Sequence, residues 1–84
     1  MSYRVEILRR AAKSLGKLPA QDFGRVRDAI RELADDPRPT GCKKLVGRDG
    51  WRLRVGRYRV IYEVADAVRI VTVLDVGHRR DVYD

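Results

Sequence analysis

Apolar and polar residues alternate in two rhythms along this chain, and the changes of rhythm divide it into elements. In residues 3–8, Tyr3, Val5 and Ile7 oppose Arg4 and Glu6, the two-residue period of a short strand. From Leu8 the period lengthens. Leu8, Ala11, Ala12, Leu15 and Leu18 fall on one side of a helix, with Arg9, Arg10, Lys13 and Lys17 mostly on the other. Gly16 weakens the end of that helix. Pro19 suits the first turn of a second one, where its missing N–H would have no partner in any case. The second helix is predicted over residues 19–34, with Phe23, Val26, Ile30 and Leu33 as its apolar stripe. Residues 35–41 form the one long loop, in which Pro37 and Pro39 forbid helix continuation.

After Gly41 the two-residue period returns. Residues 43–46 are a short candidate strand, and residues 47–50 a turn ending in the hairpin signal Asp49-Gly50. In residues 51–55 the alternation is strict: Trp51, Leu53 and Val55 face one way, Arg52 and Arg54 the other. Gly56 and Arg57 make the next turn. Residues 58–64 form a strand with Arg59 (and Arg57 before it) opposite Tyr58, Val60 and Tyr62. Residues 65–67 turn again, and residues 68–76, the longest apolar run, suit a central strand. A strand, a two-helix hairpin and a meander of antiparallel strands predict an α+β fold with the helices packed on one face of the sheet.

Length and charge sharpen this picture. The chain has 84 residues, enough for one domain spanning residues 1–84. Its net charge is +7, which favours polyanionic partners. Residues 43–59 hold seven basic residues against one acid, a net +6, so the basicity is a patch and the remainder is nearly neutral. With the helices on the apolar face, Arg52, Arg54 and Arg59 converge on the open one. Guanidinium groups crowded there repel one another unless an anion lies among them, and a phosphodiester fits, since the planar fork can hold two phosphate oxygens. The plainer reading of any one such arginine is a solvated strand face that discourages edge-to-edge aggregation. Trp51, Tyr58 and Tyr62 read as core residues.

Other chemistries are excluded or weak. The lone cysteine, Cys42, has no disulfide partner and no zinc spacing around it, which reads as a reducing, cytoplasmic setting. The N-terminus has no apolar signal core, and no run approaches the ~18 apolar residues that span a membrane, so no membrane partner is expected. Asp35 and Asp36 read as helix-end and turn chemistry, and Glu63, Asp66 and Asp75 are scattered. No phosphate-cradling glycine loop, nucleophile elbow or metal motif is present, so no cofactor or metal is expected. His78 is the single histidine, and the tail behind it carries Arg79, Arg80 and Tyr83. Tyr83 could stack on a base, transfer a proton, or simply be a part-buried terminal aromatic.

The order of elements, together with residues 36–45 (DPRPTGCKKL), 51–62 (WRLRVGRYRVIY) and 73–83 (VLDVGHRRDVY), resembles the RelE/ParE toxin superfamily over essentially the whole chain. Its RelE-like members cut messenger RNA in the ribosomal A site, its ParE-like members poison DNA gyrase without catalysis, and each is silenced by a cognate antitoxin. The RelE-like branch implies a ribosome-dependent endoribonuclease acting by attack of the ribose 2′-hydroxyl, without a metal. On that resemblance Arg59 matches an arginine at the scissile phosphate, Arg79 a proton donor or phosphate clamp, and Tyr83 the group that activates the 2′-hydroxyl. Arg52 and Arg54 stand where a RelE-like relative has lysines; they hold charge well but are poor proton shuttles. Lys43, Lys44, Arg57, His78 and Arg80 are the expected RNA contacts. The tail between Arg79 and Tyr83 is shorter than in that relative.

Overall fold

In a computed structural model, which describes residues 2–78, the elements run β1 (Arg4–Ile7), α1 (Arg9–Gly16), α2 (Ala20–Glu32), β2 (Cys42–Lys44), β3 (Trp51–Val55), β4 (Tyr58–Ala65) and β5 (Ile70–His78). The five strands form one sheet in the order β1-β5-β4-β3-β2. The expected antiparallel meander is β2 to β5. The N-terminal strand closes the other edge, parallel to β5, with Val5 beside Val71 and Ile7 beside Val73. The sheet is therefore mixed: the helical hairpin returns the chain to the far edge, and β1 and β5 come to run in the same direction.

Two predicted boundaries move. The strand expected at residues 43–46 is Cys42–Lys44, and Leu45 instead turns inward and is buried. The long apolar run starts its strand only at Ile70, leaving Val68 65% exposed in the β4–β5 turn. Arg57 lies in the β3–β4 turn, as predicted, exposed at that corner and absent from the sheet face on which it was grouped with Arg59.

Both helices cover one face. Ala11 and Leu15 of α1 and Val26, Ile30 and, just past its end, Leu33 of α2 pack on Leu53, Tyr58, Val60, Tyr62, Val71, Val73 and Val76. Within each strand these residues alternate, except that Val76 follows Val73 by three positions across the register shift in the β4–β5 pairing, so one face takes them all. Tyr58 donates a hydrogen bond to the Asp22 carboxylate at 2.8 Å, tying the start of β4 to the first turn of α2. The Asp22 charge raises the phenol above its ordinary pKa, first through that bond.

The opposite face carries a second, small apolar cluster that the alternation does not announce. Leu45 folds over Ile61, with Leu74 alongside. Two local features permit it. A register shift in the β4–β5 pairing, between Ile61 and Tyr62, leaves Leu74 without a partner across the ladder, and the Leu74 carbonyl accepts a hydrogen bond from Arg10 at 3.3 Å. At the β2–β3 turn Gly50 adopts φ 123°, and a Cβ there would lie 3.0 Å from both Leu45 Cδ1 and the Tyr62 carbonyl.

The loop after α2 is pinned to the far end of the sheet. Arg38 makes a two-pronged ion pair with Asp66 in the β4–β5 turn, at 3.2 and 2.7 Å, and lies 5.2 Å over the Trp51 ring. Tyr3 donates to the same carboxylate at 2.7 Å, and Tyr62 donates to the Pro37 carbonyl at 2.7 Å. Arg38 and then Tyr3 hold the Asp66 carboxyl down to about 2.

Two predictions follow from this packing. Gly50→Ala should destabilise the fold by on the order of 1–3 kcal/mol, because both the backbone angle and the contact with Leu45 must give; chemical denaturation reads this directly. The Asp66 carboxyl has a lowered folded-state pKa, so its contribution is full above the unfolded value of 3.8 and fades as pH falls through about 2. The stability difference between wild type and Asp66→Asn should therefore be flat at neutral pH and close only in strong acid. A gap that closed already at pH 6 would contradict the assignment.

Candidate functional site

On the face the helices leave open, strand register brings the cations together. Lys43 of β2 lies beside Arg52 of β3, and Arg54 lies directly opposite Arg59 of β4. With Gly41 these four residues line a concavity of about 350 Å³. Like charges set directly across a ladder repel, so this pairing is a local cost that sheet stability does not require. Each cation is fixed by the same alternation that buries its neighbours: Leu53 and Val55 go to the helices, and Arg52 and Arg54 must go the other way. Gly41, with φ 97°, turns the chain into β2 and leaves the wall of the concavity without a side chain.

Arg54 also borders a second groove of about 440 Å³ on its outer side, where Glu32, Asp35 and Asp36 meet Pro39, Thr40 and Val55. That groove exists because β2 pairs with β3 only over Trp51 to Leu53, leaving no strand beside the last residues of β3. Among the described residues, Arg54 is the one the two depressions share, and no acidic side chain lines the cationic one.

The other expected contacts divide. Lys44 lies on the helix side of β2, opposite Trp51, in a notch with Arg38, Asp49 and Glu63. His78 pairs with Tyr58 and meets its ring edge-on at 6.0 Å, so it too lies on the helix side. Arg57 sits in its turn, away from the concavity. Arg79, Arg80 and Tyr83 lie outside the described residues. Among the described residues, no group of three or more His, Cys, Asp or Glu side chains is placed to hold a metal ion. Nor is any helix long and apolar enough to cross a membrane.

Two contributors escape a reading by alternation. Gly41 was legible as a turn, but not as part of the cationic wall. Arg38, hidden between two prolines, reads as loop chemistry until its partners Asp66 and Trp51 are seen.

A five-stranded sheet with a helical hairpin on one face thus carries clustered cations on the other. Comparison with known proteins assigns this architecture to a family. Residues 5–83 match the family described as ParE toxin of type II toxin-antitoxin system, parDE, and the chain belongs to that family, within the RelE/ParE superfamily. It is 32% identical to the toxin named RelE1 of Methanocaldococcus jannaschii, over 99% of this chain and 97% of that one. It is also 32% identical to toxin RelG of Mycobacterium tuberculosis, over 99% and 98% of the two chains. The archaeal RelE of a RelE-RelB complex from Pyrococcus horikoshii superposes with a TM-score of 0.85 at 32% identity, covering 98% of this chain and 100% of its own.

The opposed pair gives a prediction of its own. Replacing Arg54 by Thr should raise stability by about 0.2–1 kcal/mol through relief of repulsion with Arg59, and the gain should shrink in high salt. The same variant should bind heparin more weakly. A variant that lost stability would show that the arginines are not in repulsion.

Proposed function

We propose that this chain is a type II toxin that cuts messenger RNA in the ribosomal A site. The observation that carries the reading is the convergence of Lys43, Arg52, Arg54 and Arg59 around one concavity on the uncovered sheet face. A phosphodiester is the anion that suits it, since several fixed guanidinium groups can share the charge of one phosphate. The relatives named RelE and RelG support a translation-linked target.

In this scheme the ribose 2′-hydroxyl attacks the adjacent phosphorus and the bond to the 5′-oxygen breaks, giving a 2′,3′-cyclic phosphate and a 5′-hydroxyl end. The phosphate carries an extra negative charge in the transition state, and Arg52, Arg54 and Arg59 stabilise it. Their lasting charge makes them electrostatic groups and not proton carriers. Tyr83 assists removal of the proton from the 2′-hydroxyl, and Arg79 stabilises the charge on the leaving 5′-oxygen, which takes its proton from water. His78, packed against Tyr58 on the other face, is left out of the scheme. A cognate antitoxin is the expected silencing partner; the similar Pyrococcus horikoshii RelE was solved in complex with RelB.

A second reading has its own support, because the matching family model is that of ParE toxins. It makes the cationic face a binding surface for DNA gyrase, with no catalysis, and predicts growth arrest with DNA damage and intact messages.

The deciding experiment places the protein on ribosomes stalled with an empty A site over a defined message and maps new 5′ ends. Cuts within the A-site codon are expected, and Arg59→Ala should slow them by roughly 10²–10³-fold while remaining folded. Uncut message with folded wild-type protein would transfer the assignment to gyrase inhibition.

A further inference from the structure

The loop at residues 35–41 and the cationic concavity share a chain segment, and their supports lie at opposite ends of it. Strand β2 holds only three register pairs with β3, too few to fix its own position firmly. It is anchored from both sides. After it, Leu45 is buried on Ile61, and the Leu45 amide donates to the Gly50 carbonyl at 3.0 Å. Before it, the Cys42 amide donates to the Pro39 carbonyl at 3.1 Å, the Pro37 carbonyl accepts from Tyr62, and Arg38 is gripped by Asp66 and laid over Trp51. Gly41 and Lys43, one wall of the concavity, lie between these anchors.

We propose that Arg38 and Asp66 are positioning residues for the cationic site: their ion pair holds the loop so that Gly41 and Lys43 form the wall against which an RNA phosphate is seated beside Arg52, Arg54 and Arg59. The inference rests on the reading of that face as an RNA-binding surface. Neither residue lines the concavity, so neither contacts RNA there. Asp66 belongs to the β4–β5 turn and the concavity is lined at the other end of β4, by Arg59, so the link runs through the loop backbone and β2.

Charge gives the test a sign that separates positioning from general electrostatics. Asp66→Asn removes one negative charge from a basic protein. A purely electrostatic account predicts tighter polyanion binding. The positioning account predicts weaker binding, because Lys43 leaves its place. Arg38→Lys keeps the charge but loses both the two-pronged pair and the flat contact with Trp51, so it should weaken binding with no change of net charge.

The experiment is fluorescence titration of the full chain with a labelled single-stranded 12-nucleotide RNA carrying 2′-O-methylribose throughout, which cannot be cut, over a range of salt concentrations. Thermal unfolding of each variant confirms folding. Asp66→Asn is expected to weaken binding by roughly three- to tenfold, and, since it acts through the same lysine, to add little on top of Lys43→Ala. The dependence of log affinity on log salt should flatten by about 0.7, the loss of one phosphate contact. Arg52→Ala is the reference for the face itself. If Arg52→Ala weakens binding but Asp66→Asn binds as well as wild type or better, the positioning role is overturned while the RNA-binding face stands. If Asp66→Asn and Lys43→Ala add fully, the link through β2 is overturned. If Arg52→Ala binds as wild type, the face is not the RNA site and the proposal falls with it.

Discussion

The pairing of β3 with β4 fixes both halves of this molecule at once. Leu53 lies beside Val60, Trp51 beside Tyr62 and Val55 beside Tyr58, so one side of the hairpin is wholly apolar and the helices must cover it. The same register sets Arg54 against Arg59 on the other side. A slip of one residue would carry the arginines under the helices and the aromatic rings into water, which is why the register has no near competitor. The charge cluster is therefore held by the core. Its mutual repulsion acts against a pairing that burial of Val60, Tyr62, Val71 and Val73 enforces from behind.

A sheet with helices on one side only has a second face to manage, and here it is divided. The Leu45, Ile61 and Leu74 cluster keeps water from the middle of that face, while the cations occupy the end nearest the β3–β4 turn. The division depends on small backbone departures: the register shift that frees Leu74, and the positive φ of Gly50 that lets Leu45 fold inward. Neither strand alternation nor helix propensity asks for them.

How far the sequence could be read follows from which forces are local. Strand β3 was legible to the residue, because Trp51 to Val55 alternates without exception and is bounded by Gly50 and Gly56. The helical hairpin was legible from its stripe and from Pro19. So were the cations at positions 52, 54 and 59, since alternation assigns faces directly. The parallel pairing of β1 with β5 was not, because it joins segments about 66 residues apart and leaves no mark on either one. Leu45 was read as a strand residue because nothing in its own segment shows that Ile61 needs covering on the open face. Arg57 was rightly read as a turn residue, but a turn does not hold the strand's alternation, so it leaves the face on which it was grouped with Arg59. His78 and Lys44 were grouped with the arginines by nearness in sequence, whereas the period of two sends each to the other side. Family resemblance supplied what the period could not: the identity of a RelE/ParE fold for the whole chain, carried by residues 5–83.

The two readings of function make different demands on this face, and the difference lies in geometry more than in charge. A gyrase-binding surface needs complementary potential spread over an interface and tolerates movement of any one cation. Cleavage of a phosphodiester needs several charges fixed on one phosphorus, because stabilisation of a transition state falls steeply with misplacement of even an ångström. Placement of the cations on paired strands is compatible with the second demand. Arg52, Arg54 and Arg59 rise from paired strands and not from loops, and Lys43 joins them from a strand anchored at both ends. Arg59 stands between the buried Tyr58 and Val60, and Arg52 and Arg54 flank the buried Leu53, so their backbone positions are fixed by the core. A surface meant only to attract would not need such constraint, and the excess of order over that need is the physical reason to prefer catalysis on RNA.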